Sequence, residues 1–152
     1  MDINTDVVIV GTGVAGLFSA LNLPAEKKIV MITKSDVESR DSFLAQGGIC
    51  VQRDEDDYES YFEDTMKAGH YENRKESVDI MIRNSRQVIG DLVGYGVEFE
   101  QENGEFLYTR EGAHSAPRIL FHEDVTGKEI TSKLLERVKE LENVSIFEYT
   151  TM

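Results

Sequence analysis

The chain has 152 residues and carries 16 Lys and Arg against 29 Asp and Glu, a formal net charge of −13. A chain of this size buries about 70% of its unfolded surface, and its apolar fraction of 40% is enough to fill a core, so composition fits one globular domain and excludes whole-chain disorder. The acidity argues against nucleic acid or anionic membrane as a partner, because phosphate binding needs clustered Lys and Arg. No run approaches the roughly 20 apolar residues of a membrane span, and no basic segment followed by an apolar run opens the sequence, so a cytoplasmic protein is expected. The single cysteine, Cys50, can form no internal disulfide and is most simply a small buried hydrophobe in a reducing compartment.

Asp6-Val7-Val8-Ile9-Val10 is a short β-branched run that predicts a strand, with Gly11 directly after it. Val14, Leu17, Ala20 and Leu21 recur at helical spacing until Pro24 ends the pattern, and Ile29-Val30-Met31-Ile32 predicts a second buried strand. A strand, helix, strand order within so short a span implies two parallel strands joined by a crossover. Residues 34 to 53 read as a long connection containing Ser35, Asp36, Ser39, Asp41 and Ser42, and connections of that length usually serve a site.

Helices are predicted over 56–68 and 75–94, the second with Val78, Met81, Ile82, Ile89, Leu92 and Val93 on one side and Gly94 and Gly96 closing it. Seven of the eleven residues from Asp54 to Asp64 are acidic. That segment reads as a helix with one solvated face, or else as a partner-docking surface. Val97-Glu98-Phe99 and Phe106-Leu107-Tyr108 flank Asn103-Gly104, a hairpin turn signal. A helix over 128–141 and a strand over 144–149 complete the pattern, with no internal repeat.

The main chemical signal is Gly11-Thr12-Gly13-Val14-Ala15-Gly16, a GxGxxG motif between strand and helix. Gly11 permits the tight turn, Gly13 admits a pyrophosphate to the backbone, and Gly16 lets helix and strand pack closely. Backbone N–H groups of Thr12 to Ala15 and the helix dipole would face the phosphates. The carboxylate expected at the end of the second strand is missing, and Thr33-Lys34 stands there, which weakens plain NAD binding. Lys34 either contacts the dinucleotide or is a solvated lysine. Ser42-Phe43-Leu44-Ala45-Gln46-Gly47-Gly48-Ile49 suits a backbone lying against a flat ligand, although an ordinary loop fits equally. The three histidines, at 70, 114 and 122, lack the short spacings of a zinc site, so no metal is expected.

These motifs, with Thr109-Arg110-Glu111-Gly112-Ala113-His114-Ser115, Arg118-Ile119-Leu120 and Asp124-Val125-Thr126-Gly127, resemble the flavoprotein family of succinate dehydrogenase, fumarate reductase and L-aspartate oxidase, in order and over almost the whole chain. The resemblance implies an α/β fold, a Rossmann-like FAD-binding domain with a parallel sheet of the glutathione-reductase type. It implies FAD contacts at Gly11 to Gly16, Lys34, Asp41, Ser42, Phe43, Leu44, Ala45, Gln46, Gly47 and Gly48. Members with covalent FAD carry a histidine before the Ala-Gln-Gly-Gly element, where this chain has Arg40-Asp41-Ser42, so the FAD is expected to be noncovalent.

The Arg-Glu-Gly-x-His-Ser block is similar to the L-aspartate oxidase branch, whose glutamate faces the substrate amino group. That role maps to Glu111; a surface salt bridge is the alternative. Ala113 departs from the branch, which usually has a second glycine there. His114 would lie beside the substrate glutamate, and His122 after a buried strand, yet each also suits a hydrogen-bonded structural histidine. The implied reaction oxidises L-aspartate to iminoaspartate, the Cα hydrogen leaving as hydride to the flavin, with oxygen or fumarate as acceptor. This is the first step of quinolinate and de novo NAD biosynthesis, which makes quinolinate synthase a candidate partner. Family members are much longer, with capping and helical C-terminal domains. Residues 1–152 are therefore expected to be the N-terminal part of the FAD-binding domain, a fragment with an incomplete sheet, inactive alone. A fumarate reductase or succinate dehydrogenase-like subunit and a non-catalytic FAD-binding fragment stand as alternatives.

Overall fold

The computed structural model describes residues 2–37 and 41–152. Ser39 and Arg40, named above in the long connection, lie outside the described residues. The chain divides into two compact units, Met1–Gln46 with Gly127–Met152, and Gly47–Thr126.

The first unit is built on a three-stranded sheet, β1 (Val7–Val10), β2 (Ile29–Ile32) and β7 (Val144–Phe147), ordered β1-β2-β7 and parallel throughout. Register pairs Val7 with Ile29 and Ile29 with Val144. The parallel α/β sheet expected from the strand, helix, strand order is present. Between β1 and β2 runs α1 (Val14–Asn22), which buries Leu17 and Ala20 and stops at Leu23, before Pro24. Directly before β7 comes α5 (Thr126–Lys139), which starts two residues earlier than the predicted helix. Its buried side chains, Ile130, Leu134, Leu135 and Val138, fall at helical spacing and supply the rest of this core. One sheet face is left bare in places, with Val8, Val10 and Phe147 exposed.

The long connection is not wholly irregular. It holds a single helical turn, α2 (Asp41–Leu44), and a two-residue strand, β3 (Ile49–Cys50). Both are shorter than a periodicity window, which is why pattern reading passes over them. Gly127 makes α2 and the start of α5 dock closely: its N–H donates to Ala45 O at 2.9 Å, and a Cβ there would lie 2.1 Å from Ser42 O.

In the second unit, β3 pairs antiparallel with β6 (Ile119–Leu120), and α3 (Tyr58–Ala68) packs on α4 (Lys75–Gly94). Tyr61, Met66, Val78 and Ile82 form the cluster between these helices. The buried stripe of α4 is Val78, Ile82, Ser85, Ile89 and Leu92, while Met81 and Val93, expected on that side, are exposed. Hairpin arms β4 (Gln101–Glu102) and β5 (Glu105–Phe106) flank Asn103-Gly104, whose positive φ values of 54° and 85° give the turn foreseen. The arms are closer to the turn than predicted, because Val97 and Phe99 are drawn into the core instead of pairing.

Candidate functional site

The glycine motif folds as its spacing requires. Gly11 takes φ 104°, open to glycine and strained for other residues, and its N–H donates to Ile32 O at 2.8 Å, tying the turn to the end of β2. A Cβ on Gly16 would lie 2.2 Å from Gly11 O, so the third glycine is a packing requirement. Gly13 caps α1 with extended backbone and offers no side chain to the first N–H groups. Ser42 Oγ takes the Val14 N–H at 3.4 Å and would lie 3.1 Å from a Cβ on Gly13.

That arrangement fits an anionic dinucleotide. Donors sit at a helix N-terminus with a bare glycine approach, and one hydroxyl stands beside them. Thr12 Oγ1 and Thr33 Oγ1, both buried, have no hydrogen-bond partner, so polar groups near the turn are left unsatisfied by the protein itself. A groove of about 310 Å³ runs along Gly11, Thr33 and Lys34, so Lys34 borders the same opening as the first glycine.

In the second unit, Gly47 and Glu111 are brought together: a Cβ on Gly47 would lie 3.6 Å from Glu111 Oε1. Gly48 is pressed against β6, where a Cβ would meet Ile119 Cγ2 and Leu120 O at 2.2 Å. The twin glycine therefore has two separate causes, an open approach at Gly47 and backbone crowding at Gly48. Glu111 and His114 close one turn, with His114 N–H donating to Glu111 O at 3.0 Å and Glu111 N–H donating to His114 Nδ1 at 3.3 Å. His122 is placed differently, its backbone N–H donating to Thr126 Oγ1 at 2.9 Å at the start of α5.

The profile of the FAD binding domain family matches residues 6–152. The chain belongs to that family. It is 46% identical over 143 residues to the L-aspartate oxidase of Clostridium perfringens, a match covering 94% of this chain and 33% of that protein. The L-aspartate oxidase of Clostridium acetobutylicum is also 46% identical, over 149 residues, with 97% of this chain and 34% of that protein covered. This FAD binding domain thus spans about a third of the length of those relatives. Among solved structures, the FrdA chain of E. coli quinol fumarate reductase superposes with TM-score 0.90 at 24% identity, covering 97% of this chain and 26% of that one. Mycobacterium smegmatis Sdh1 gives TM-score 0.84 at 26% identity over 97% and 28%. FAD is accordingly the cofactor, and the α/β flavoprotein fold read from the motifs holds. Among the described residues no helix is long and apolar enough to cross a membrane, and no three His, Cys, Asp or Glu side chains gather as metal ligands.

Within this FAD binding domain, a tightly held cluster beside the Glu111 segment centres on Arg118, a motif residue to which the sequence reading gave no role. Arg118 is fully buried. Its Nη2 donates to Asp57 Oδ1 and Ser60 Oγ at 2.8 Å, its Nη1 pairs with Asp64 Oδ2, and its guanidinium lies 5.0 Å from the Tyr61 ring centre. Asp64 Oδ2 also accepts Ser115 N–H and Oγ, each at 2.7 Å, so the Arg118 cluster anchors the loop just past Glu111. The acidic segment does present a solvated helix face, with Asp54, Glu55, Asp56, Glu59 and Glu63 exposed, but two of its carboxylates depart from that reading. Asp57 and Asp64 are counterions of Arg118, and helix α3 begins at Tyr58. Burial pushes the Asp57 carboxyl up, but the Arg118 guanidinium, the Arg53 N–H and Ser60 outweigh it and hold it below the usual carboxylate range. Asp64 is likewise lowered, burial being overcome by Ser115 and Arg118. The signal available in sequence was Arg118 itself, a basic residue directly before an apolar strand and downstream of an acidic helix.

Cys50 is the other correction. It packs against the Tyr61, Met66, Val78 and Ile82 cluster but is only partly buried, and its Sγ lies 3.2 Å from His114 Nε2.

Proposed function

We propose that this FAD binding domain serves the oxidation of L-aspartate to iminoaspartate in the cytoplasm, with FAD held noncovalently and fumarate or oxygen as the final acceptor. The observation that carries the reading is the carboxylate of Glu111 lying over Gly47, within a stretch 46% identical to L-aspartate oxidases. An ammonium taken out of water needs a carboxylate opposite it, since an unpaired buried charge is costly, and Glu111 supplies one with its oxygen directed at open backbone.

FAD, when bound, supplies the two-electron acceptor for this chemistry. The chain's own residues bind and orient. Thr12 to Ala15 would present N–H groups to the pyrophosphate, Gly13 would leave that approach clear while Gly11 and Gly16 allow the turn and its packing, and Ser42 Oγ stands at the Val14 N–H that a phosphate oxygen would take. Lys34 adds a positive charge along the adjoining groove. Asp41, Phe43, Leu44, Ala45 and Gln46 of the first unit and Gly47 and Gly48 of the second would contribute flavin contacts, and Asp41 and Ser42 offer no imidazole for a covalent link. Glu111 meets the substrate ammonium, supported by His114 three residues on. A labile imine product calls for a consumer such as quinolinate synthase.

The test is Glu111→Gln in the complete polypeptide. Loss of a desolvated charge pair lowers aspartate kcat/KM by roughly a hundredfold. Fumarate reduction is largely kept, because fumarate has no ammonium. Equal loss of both activities, or succinate oxidation with no response to aspartate in the parent, overturns the reading.

A further inference from the structure

Glu111 is one residue of a closed chain of contacts that ends on β3. Its backbone N–H donates to His114 Nδ1, and an imidazole nitrogen that accepts a hydrogen bond carries no proton. In the neutral ring the proton then resides on Nε2, the nitrogen 3.2 Å from Cys50 Sγ. A sulfur at that distance accepts an N–H. The Tyr61 hydroxyl, from α3, also reaches this sulfur. Burial pushes the Cys50 thiol up, against the opposing effects of Tyr61 and Arg118, so the sulfur stays protonated and serves as a neutral acceptor. Each of these contacts lies inside the second unit.

We propose that His114 is a positioning residue: its ring, held by Cys50 Sγ in the Nε2–H tautomer, ties the Glu111 backbone to β3 and aims the Glu111 carboxylate at Gly47. The Arg118 cluster anchors this loop at Ser115, and the His114 ring fixes the turn that carries Glu111 itself. Glu111, Gly112 and Ala113 are exposed, and the turn itself is closed by the His114 N–H on one side and the His114 ring on the other, with Ser115 anchored on Asp64 just beyond it. The proposal rests on the preceding reading only for what the aimed carboxylate meets; its own test uses no aspartate.

The experiment is a long-range proton–nitrogen spectrum of the chain carrying isotope-labelled histidine, with His114 assigned by its loss in His114→Gln. The parent shows His114 with a bare Nδ1 and a protonated Nε2. Cys50→Ser, which keeps an acceptor, retains that pattern. Cys50→Val, which keeps the shape and removes the acceptor, gives averaged His114 signals, and the Glu111 amide exchanges about fivefold faster, the factor for one net hydrogen bond. A parent spectrum with the proton on Nδ1 overturns the proposal outright, whether or not the variants fold. So does a Cys50→Val protein with both readouts unchanged, or a Cys50→Ser protein that behaves like Cys50→Val. Loss of aspartate response in a protein whose His114 pattern is intact refutes the aspartate reading and leaves this one standing.

Discussion

Replacing Arg118 with Met isolates the charge of the buried cluster from its packing. The Arg118 side chain is 0% exposed and its partners Asp57 and Asp64 are 1% and 17% exposed, so removing the guanidinium strands at least one carboxylate out of water. Met keeps an unbranched apolar chain beside the Tyr61 ring, so the lost van der Waals contact is small. Breaking a buried pair on one side costs about 3–5 kcal/mol, against a total stability of about 5–15 kcal/mol for a domain. With a urea dependence of about 1–3 kcal/mol per molar, the unfolding midpoint followed by circular dichroism should fall by roughly 2 M. Adding Asp57→Asn to that variant removes the stranded charge, and the double variant should regain more than about 1 kcal/mol over Arg118→Met alone. A loss under about 1 kcal/mol in Arg118→Met, or a double variant no more stable than the single one, would show that the cluster is not the desolvated network described here.

The same cluster sets an acid limit. Asp57 and Asp64 have lowered folded-state pKa values, so their stabilisation is complete above the unfolded carboxylate value of about 4 and is lost as pH falls through the lower folded values. Urea midpoints measured from neutral pH downward should drop in that window, and Asp57→Asn should flatten the slope. Two glycine variants separate binding from folding: Gly16→Ala drives a Cβ to 2.2 Å from Gly11 O and should lower the melting temperature, whereas Gly13→Ala meets only Ser42 Oγ, at 3.1 Å, and should leave melting nearly unchanged while weakening FAD binding, read by flavin absorbance after reconstitution. Gly104→Ala puts a side chain at φ 85° in the hairpin turn and should cost about 1 kcal/mol in the same urea assay, with FAD binding unaffected.

Legibility in the sequence followed the length of each pattern. Strands β1 and β2, helix α1 and the glycine turn could be read because apolar period, Pro24 and three glycines agree within one short stretch. Helices α4 and α5 were legible from periodicity alone. What escaped was non-local. Nothing near Asp57 says that its partner is Arg118, sixty-one positions on, and a run of carboxylates has the same composition whether it is solvated or internally paired. The strands β3 and β6 have two residues each and exist because they pair with one another, so neither carries a period of its own. Glu111 and Gly47 were singled out separately through family resemblance; their proximity depends on the Arg118 cluster and on the His114 ring that brace the intervening loop.

The discontinuous first unit has a consequence for biogenesis. Residue Ile29 pairs with Val144, so as the chain leaves the ribosome β2 waits for β7 on the order of ten seconds at ordinary translation speed. The contiguous segment Gly47–Thr126 emerges meanwhile and can acquire its structure first. Until β7 arrives, the Ile29–Ile32 strand has an open hydrogen-bonding edge, a template for pairing with a neighbouring nascent copy. Synthesis of this protein should accordingly be sensitive to trigger-type chaperones and to polysome crowding, more than its finished stability would suggest.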